Sequence, residues 1–285
     1  MPSINDSKCV LITGATSGIG RALAVAIAKL PTSPHVIGTG RRPDRLNELR
    51  SVEVEPVQLE LDADAGTLKK KVLDLVQKFP DLDTIILNAG IQREYDFLNT
   101  DVDLGNIYQE INVNYLSILA VIAAILPHFK TLAATGRPCM IVNVTSGLAV
   151  VPATHLSNYS ASKAALHSMT MSLQSQFQGT NIHFIEVVPP YVSYYSFSVL
   201  GPWTKITSFS LVESELHDFE GTSEKLSKFW MPLDQYVALT LEGLQKGEPH
   251  VTCGAAATAF DRFEKEKYDL AMKKALPTAP MNFKP

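Results

Sequence analysis

Short apolar runs rich in β-branched residues recur along this chain at residues 9–13, 36–40, 53–59, 84–87, 140–145, 182–188 and 250–252. Longer segments of helical periodicity separate them, near 19–29, 66–78, 103–130, 156–177 and 233–245. Runs such as "CVLIT" (9–13) and "TIILN" (84–88) are apolar on both faces. That pattern suits a sheet with helices on both sides, and strand–helix alternation builds parallel sheets through crossover connections. The reading is a three-layer α/β fold. No internal repeat, low-complexity tract or Gly/Ser-rich linker divides the chain, so residues 1–285 read as a single domain.

Two segments break the rhythm. Residues 191–230 form a long excursion of the kind that lids are made from, and 275–285 carries three prolines and reads as an irregular tail. The formal net charge of −4, with both signs scattered, lacks the basic footprint of a nucleic-acid binder. Three cysteines, Cys9, Cys139 and Cys253, are far apart and in no metal-ligand spacing; they read as small buried hydrophobes in a reducing compartment. No metal site is expected. The N-terminus "MPSINDSKCVLITG" lacks the basic and apolar regions of a secretory signal, which makes cytoplasm the expected location. The charge-free stretch 111–127 contains asparagines and ends in proline; it reads as a buried helix, not a membrane span. Lys69, Lys70 and Lys71 read as a solvated helix face.

"VLITGATSGIG" places glycines at 14, 18 and 20 directly after a predicted strand and at the start of a predicted helix. In that context Gly14 permits a tight turn, Gly18 lets backbone approach a pyrophosphate and Gly20 allows close helix–sheet packing, while the helix N-terminus supplies amide donors. The second strand then ends "IGTGRRPDRL". A site preferring NAD usually has a carboxylate there for the ribose 2′-hydroxyl; here Gly40 occupies the place and Arg41 and Arg42 follow, which favours a 2′-phosphate and NADP(H). Arg42 and Arg45 also suit a solvated helix start. Asp62, in "LELDAD" after the third strand, is placed either to accept from adenine or to cap the next helix.

"YSASKAAL" (159–166) sets Tyr159 and Lys163 four apart with small residues between them, so both project from one helix face. An ammonium ~5 Å from a phenol contributes about 3 kcal/mol at an effective dielectric of ~20, lowering the phenol's pKa by roughly two from its usual value near 10. That brings it within range of proton exchange with a substrate. The bland alternative is an amphipathic pair with Lys163 reaching solvent.

Together, "TGATSGIG", "NAG" (88–90), Asn114 in "INVNYLSIL", Ser146 in "IVNVTS" and "YSASK" resemble the classical short-chain dehydrogenase/reductase family, in its order and over nearly the whole chain. The resemblance implies a Rossmann-type, doubly wound, seven-stranded parallel sheet, a nicotinamide cofactor and reversible hydride transfer to a carbonyl carbon. It makes Tyr159 the general acid, with Lys163 lowering its pKa and holding the nicotinamide ribose, Ser146 a donor to the substrate oxygen and Asn114 the keeper of a water that links Lys163 to solvent. Asn112 is the competing choice for Asn114. It also assigns cofactor contacts to Thr16, Ser17 and Ile19 in the turn, to Asn88, Ala89 and Gly90 beside the central sheet, and to Pro189 and Val192 after the sixth strand. Family members commonly form homodimers or homotetramers through their two long helices, here those near 103–130 and 156–177.

After the sixth strand the family usually reads "PGxVxT", whereas this chain has "PPYVSY" (189–194). Pro190 replaces glycine and Tyr194 replaces a threonine that helps hold the carboxamide; Ser193 and Ser196 are candidate substitutes. Tyr191, Tyr194, Tyr195, Phe197, Trp203 and Phe209 are candidate lining for an apolar substrate pocket, or ordinary core. His155, one turn before Tyr159, is either a pocket residue or a structural one. The leading function is thus an NADP(H)-dependent carbonyl reductase or alcohol dehydrogenase of small apolar substrates, with no nucleic-acid or membrane partner. Two others compete: a dinucleotide-binding sensor, against which a complete Ser146, Tyr159 and Lys163 argue, and an isomerase or dehydratase on the same scaffold.

Overall fold

β1 (Cys9–Ile12) alternates its side chains between two cores, Val10 and Ile12 entering one and Cys9 and Leu11 the other. In the computed structural model, which describes residues 2–98, 101–190, 211–212 and 230–273, this strand pairs in parallel with β2 (His35–Gly40) and β4 (Leu82–Leu87). With β3 (Glu55–Gln58), β5 (Cys139–Val144), β6 (Ile182–Val188) and β9 (His250–Thr252) they form a seven-stranded sheet, all neighbours parallel, in the order β3-β2-β1-β4-β5-β6-β9. A separate parallel pair, β7 (Leu211–Val212) with β8 (Trp230–Met231), has no counterpart among the apolar runs of the sequence.

Helices cover both faces, as the doubly apolar strands require. α1 (Gly18–Ala28) and α7 (Leu233–Lys246) pack on one side, burying Leu23, Ile27, Tyr236 and Leu244. On the other lie α3 (Ala65–Lys78), α5 (Ser117–Ala134) and α6 (Ser157–Gln176), burying Leu68, Ile122, Phe129 and Leu166. The strand order turns back between β1 and β4, so their C-terminal ends open a crevice where open α/β sheets bind ligands.

Several boundaries differ from expectation for identifiable reasons. β4 begins at Leu82, before the charged Asp83, because that carboxylate is buried and accepts from the backbone N–H of Lys8 and from Arg137. The helix expected over 103–130 is α4 (Leu104–Ile111) and α5 joined through one π turn, Asn112–Leu116, and it runs through Pro127 to Ala134. By length and composition the continuous segment Leu104–Ala134 is apolar enough to cross a membrane; here α5 buries Ile118, Val121, Ile125 and Phe129 against the sheet. α2 (Pro43–Leu49), with proline in its first turn, and two C-terminal helices, α8 (Gly254–Phe263) and α9 (Lys265–Lys273), complete the described α-helices. Cys9 and Cys139 are buried at strand starts, and Cys253 is half-buried before α8.

Candidate active site

The chain leaves β1 through a turn that only glycine fits. Gly14 and Gly18 have φ of 68° and 50°, in the left-handed region. A Cβ on Gly14 would lie 3.0 Å from Cα of Ala89, and one on Gly20 would collide with Nδ2 of Asn88 and the carbonyl of Gly14. Gly20 is therefore required by close approach, as expected for helix–sheet packing. The two strand ends are stitched together by Thr13, whose Oγ1 accepts from the backbone N–H groups of Asn88 and Ala89, both at 3.0 Å, while Asn88 Nδ2 donates to the Thr13 carbonyl at 3.0 Å. Ser17 caps α1 without a side-chain hydrogen bond, and Thr16, Ser17, Gly18 and Ile19 line the cavity above the turn. Backbone amides at a helix N-terminus, in a cradle that a Cβ would fill, suit a pyrophosphate.

That cavity, about 530 Å³, continues in both directions. At one end it is lined by Gly40, Arg41, Arg42 and Asp62. A Cβ on Gly40 would lie 2.5 Å from Cγ2 of Thr16, so the second strand ends in glycine because the turn packs against it. Arg42 stands at the N-cap of α2, the helix start that the sequence suggested. Asp62 does not cap α3: Asp64 does, accepting from the Thr67 N–H at 3.0 Å, and hydrogen bonds from the Thr67 hydroxyl and N–H hold its carboxyl below the usual range. Asp62 instead accepts from Nε2 of Gln109 at 2.5 Å and Nδ2 of Asn112 at 3.2 Å.

At the other end the cavity reaches Ser146, Tyr159 and Lys163. Ser146 follows β5 in extended conformation, and its Oγ accepts from the Leu148 N–H at 3.1 Å. Tyr159 and Lys163 project from one face of α6, with Nζ 5.7 Å from the centre of the phenol ring. Lys163 does not reach solvent; it is 2% exposed, donates to the Val144 carbonyl at 2.9 Å, and has its pKa lowered to about 8 by burial. Asn114 lies in the π turn, a feature that re-aims side chains inside helices. It clasps the backbone of Ile91, accepting from its N–H at 2.9 Å and donating to its carbonyl at 2.8 Å, and also donates to Ser162 Oγ at 3.1 Å. Gly90 sits where this clasp meets the lysine: a Cβ there would be 3.2 Å from Asn114 Oδ1 and 3.5 Å from Lys163 Nζ.

Pro189 and Pro190 line the cavity, and the Pro189 carbonyl accepts from the Gly147 N–H at 2.8 Å. Val192, Ser193, Ser196 and the proposed lining residues Tyr191, Tyr194, Tyr195, Phe197, Trp203 and Phe209 lie outside the described residues, as does the tail 275–285. Within the 191–230 excursion, Val212 is buried and lines the cavity. His155 is exposed on a short 3-10 turn and is not among the cavity's lining residues. Sequence reasoning missed Thr13, Ser162, Gln109 and the Val144 carbonyl. Thr13 alone carries a local hint, a hydroxyl at the strand end beside the glycine turn; the others act through partners distant in sequence.

The family model for short chain dehydrogenase matches residues 8–199. The chain is 29% identical over 248 residues to the uncharacterized oxidoreductase DltE of Bacillus subtilis, covering 86% of this chain and 88% of that one. It is 36% identical over 190 residues to sulfoacetaldehyde reductase 2 of Chromohalobacter salexigens, covering 64% and 72%. Among solved structures, a short-chain dehydrogenase from Sphingobium yanoikuyae in complex with NADPH shares the fold at a TM-score of 0.70 and 21% identity, covering 97% of this chain and 99% of the other.

Proposed function

The chain belongs to the short-chain dehydrogenase family of oxidoreductases, and on that premise we propose that it interconverts a carbonyl group and an alcohol with NADP(H). One observation carries this reading: a single cavity joins the glycine turn and Arg41 to Ser146, Tyr159 and Lys163. A nicotinamide dinucleotide, when bound, supplies or accepts the hydride. Gly14, Gly18 and the first turn of α1 would hold its pyrophosphate, Arg41 and Arg42 its 2′-phosphate and Asp62 its adenine end.

The protein's own part is to orient the carbonyl and move a proton. Because Ser146 Oγ already accepts from Leu148, its hydroxyl proton is left to donate to the substrate oxygen. Tyr159 delivers the phenolic proton to that oxygen as negative charge grows on it. Lys163 directs one proton to Val144 and has two more, which suit the ribose and the phenol side. Asn114, bonded to Ile91 and Ser162, keeps the polar path beside Lys163 in place.

Support for NADP(H) comes from Gly40 and Arg41: the turn against Thr16 leaves no room for the carboxylate that would read a 2′-hydroxyl. The relative named a sulfoacetaldehyde reductase supports a carbonyl as the reacting group. A second copy of the chain is proposed to cover Leu104, Tyr108, Leu116 and Leu119, large apolar side chains exposed along α4 and its continuation into α5; sedimentation of the purified protein tests this. The functional test is fluorescence titration with NADPH and NADH, then cofactor oxidation against ketones, aldehydes and diketones with Tyr159→Phe as control. Tighter NADPH binding, with turnover abolished in the control, is expected. Binding without turnover on any carbonyl would overturn the reading in favour of a sensor, and a redox-neutral product would make it an isomerase or dehydratase.

A further inference from the structure

Glu186 sits within β6 with a fully buried side chain, in a run, "IHFIEVV", that otherwise reads as plain core. Its Oε1 accepts from the Thr145 hydroxyl at 2.6 Å and from His167 Nδ1 at 2.8 Å. Oε2 lies 2.9 Å from the same His167 nitrogen and 3.1 Å from His250 Nδ1. The other side of the His167 ring is occupied as well: Nε2 is 3.0 Å from Oε2 of Glu264, which also pairs with Lys267 at 2.5 Å. Carboxylates offer acceptors only, so both ring nitrogens donate and His167 is an imidazolium. Two negative and two positive groups then balance, the condition under which buried charge is tolerated. His250 completes the shell, its ring against Phe260 and Tyr268.

The two groups held by Glu186 belong to the frame of the active site. Thr145 immediately precedes Ser146, and the carbonyl of the Val144–Thr145 peptide is the one that holds Lys163 at 2.9 Å. His167 follows Lys163 by one helical turn and Tyr159 by two, on the same face of α6. We propose that Glu186 is a positioning residue, which through Thr145 and His167 fixes the strand end bearing Ser146 against the helix face bearing Tyr159 and Lys163. This rests on the reading of those three as the reacting group. Misplacement of reacting groups by an ångström can cost as much as a hundredfold in rate, so a clamp on both elements is a lever on kcat.

The test compares Thr145→Val, Thr145→Ser, Glu186→Gln and Tyr159→Phe in the full chain. NADPH affinity, kcat and KM with benzil as the probe carbonyl, the pH profile of kcat/KM and thermal stability are measured for each. Thr145→Val and Glu186→Gln are expected to lower kcat on the order of tenfold or more, with NADPH affinity and KM within about twofold of the parent. Thr145→Ser, which keeps the hydroxyl, retains most of kcat. The double variant Thr145→Val/Glu186→Gln, made in addition, is expected to be no slower than Glu186→Gln alone, because both changes cut the Thr145–Glu186 connection. A purely structural role would lower stability and leave the kcat and pH profile of the folded protein unchanged; that result, with Tyr159→Phe inactive, overturns the proposal and leaves the catalytic reading standing. If Glu186→Gln does not fold, the Thr145 pair decides by itself. A parent inactive on the carbonyl panel, or a fully active Tyr159→Phe, overturns the catalytic reading and this proposal with it.

Discussion

The Lys163 ammonium stands 5.7 Å from the centre of the Tyr159 ring and is anchored to the Val144 carbonyl at 2.9 Å. Burial lowers its pKa to about 8, so it is charged below that pH and neutral above it. Carbonyl reduction needs the charged amine beside a protonated phenol. The rate of NADPH-dependent reduction is therefore expected to fall as pH rises through about 8, and Lys163→Met should lose both that limb and on the order of a hundredfold in kcat. A pH–rate series on the two proteins checks it; an unchanged alkaline limb in the variant would assign the titration elsewhere.

Cofactor choice is expected to depend on Arg41 and not to be reversible at Gly40 alone. Under the proposed NADP(H) reading, Arg41→Ala would remove a charge-assisted contact with the 2′-phosphate, and it should weaken NADPH by about ten- to a hundredfold while leaving NADH nearly unchanged. Gly40→Asp installs the carboxylate of an NAD site, yet its Cβ would lie 2.5 Å from Cγ2 and 3.1 Å from Oγ1 of Thr16. That displaces the glycine turn proposed to hold the pyrophosphate, so both dinucleotides should bind less well. Gly40→Asp/Thr16→Ala, which clears the contact, should recover NADH binding. Fluorescence titration of the variants with each cofactor tests the set.

Far from the cavity, Arg137 reaches Asp83 through Nε at 2.9 Å and Nη2 at 2.7 Å, and Asp81 at 2.7 Å. The Asp83 side chain is 1% exposed, so Arg137→Met leaves a buried carboxylate short of its cation and should cost about 3–5 kcal/mol. Replacing both, as Asp83→Leu/Arg137→Met, should recover part of that loss, because no uncompensated charge remains. Urea unfolding of the single and double variants measures the difference; equal loss in both would mean that the pair's geometry, not its charge balance, carries the stability.

What the sequence disclosed and what it hid divide by distance along the chain. The glycine turn, the Tyr159–Lys163 spacing and the doubly apolar strands are local patterns, each fixed by residues within a few positions of one another, and the structure places them where the patterns point. Asp62 shows the limit: its position after β3 is legible, but its partners Gln109 and Asn112 come 47 and 50 residues later, and the capping role belongs to Asp64. The π turn around Asn114 has no composition of its own to announce it. α8 begins at Gly254 with φ of 56° and has Cys253 at its N-cap, so it lacks the Ser, Thr, Asp or Asn that usually marks a helix start. Glu186 lies between apolar neighbours, and its partners His167 and His250 are 19 and 64 residues away, contacts that arise only once α6 packs on the sheet and β9 pairs with β6.

That same cluster fixes how folding stability should vary with pH. Burial works against the ionised carboxyl of Glu186, but hydrogen bonds from His167 and His250 prevail and hold it at about 2, below its ordinary 4.5. Its stabilisation is therefore present above about 4.5 and lost as pH falls toward 2. Burial likewise opposes the charge on His167, yet Glu186 and Glu264 raise its pKa above the ordinary 6.5. That contribution is complete below about 6.5 and disappears as pH rises through the raised value. Both are complete only between about 4.5 and 6.5, where the difference in unfolding free energy between the parent and His167→Gln should be largest. On the alkaline side the parent loses the imidazolium and the difference should shrink; on the acid side Glu186 takes up a proton and the difference should shrink again. Denaturant unfolding across the pH range tests this, and a difference independent of pH would mean that His167 is held as a neutral ring.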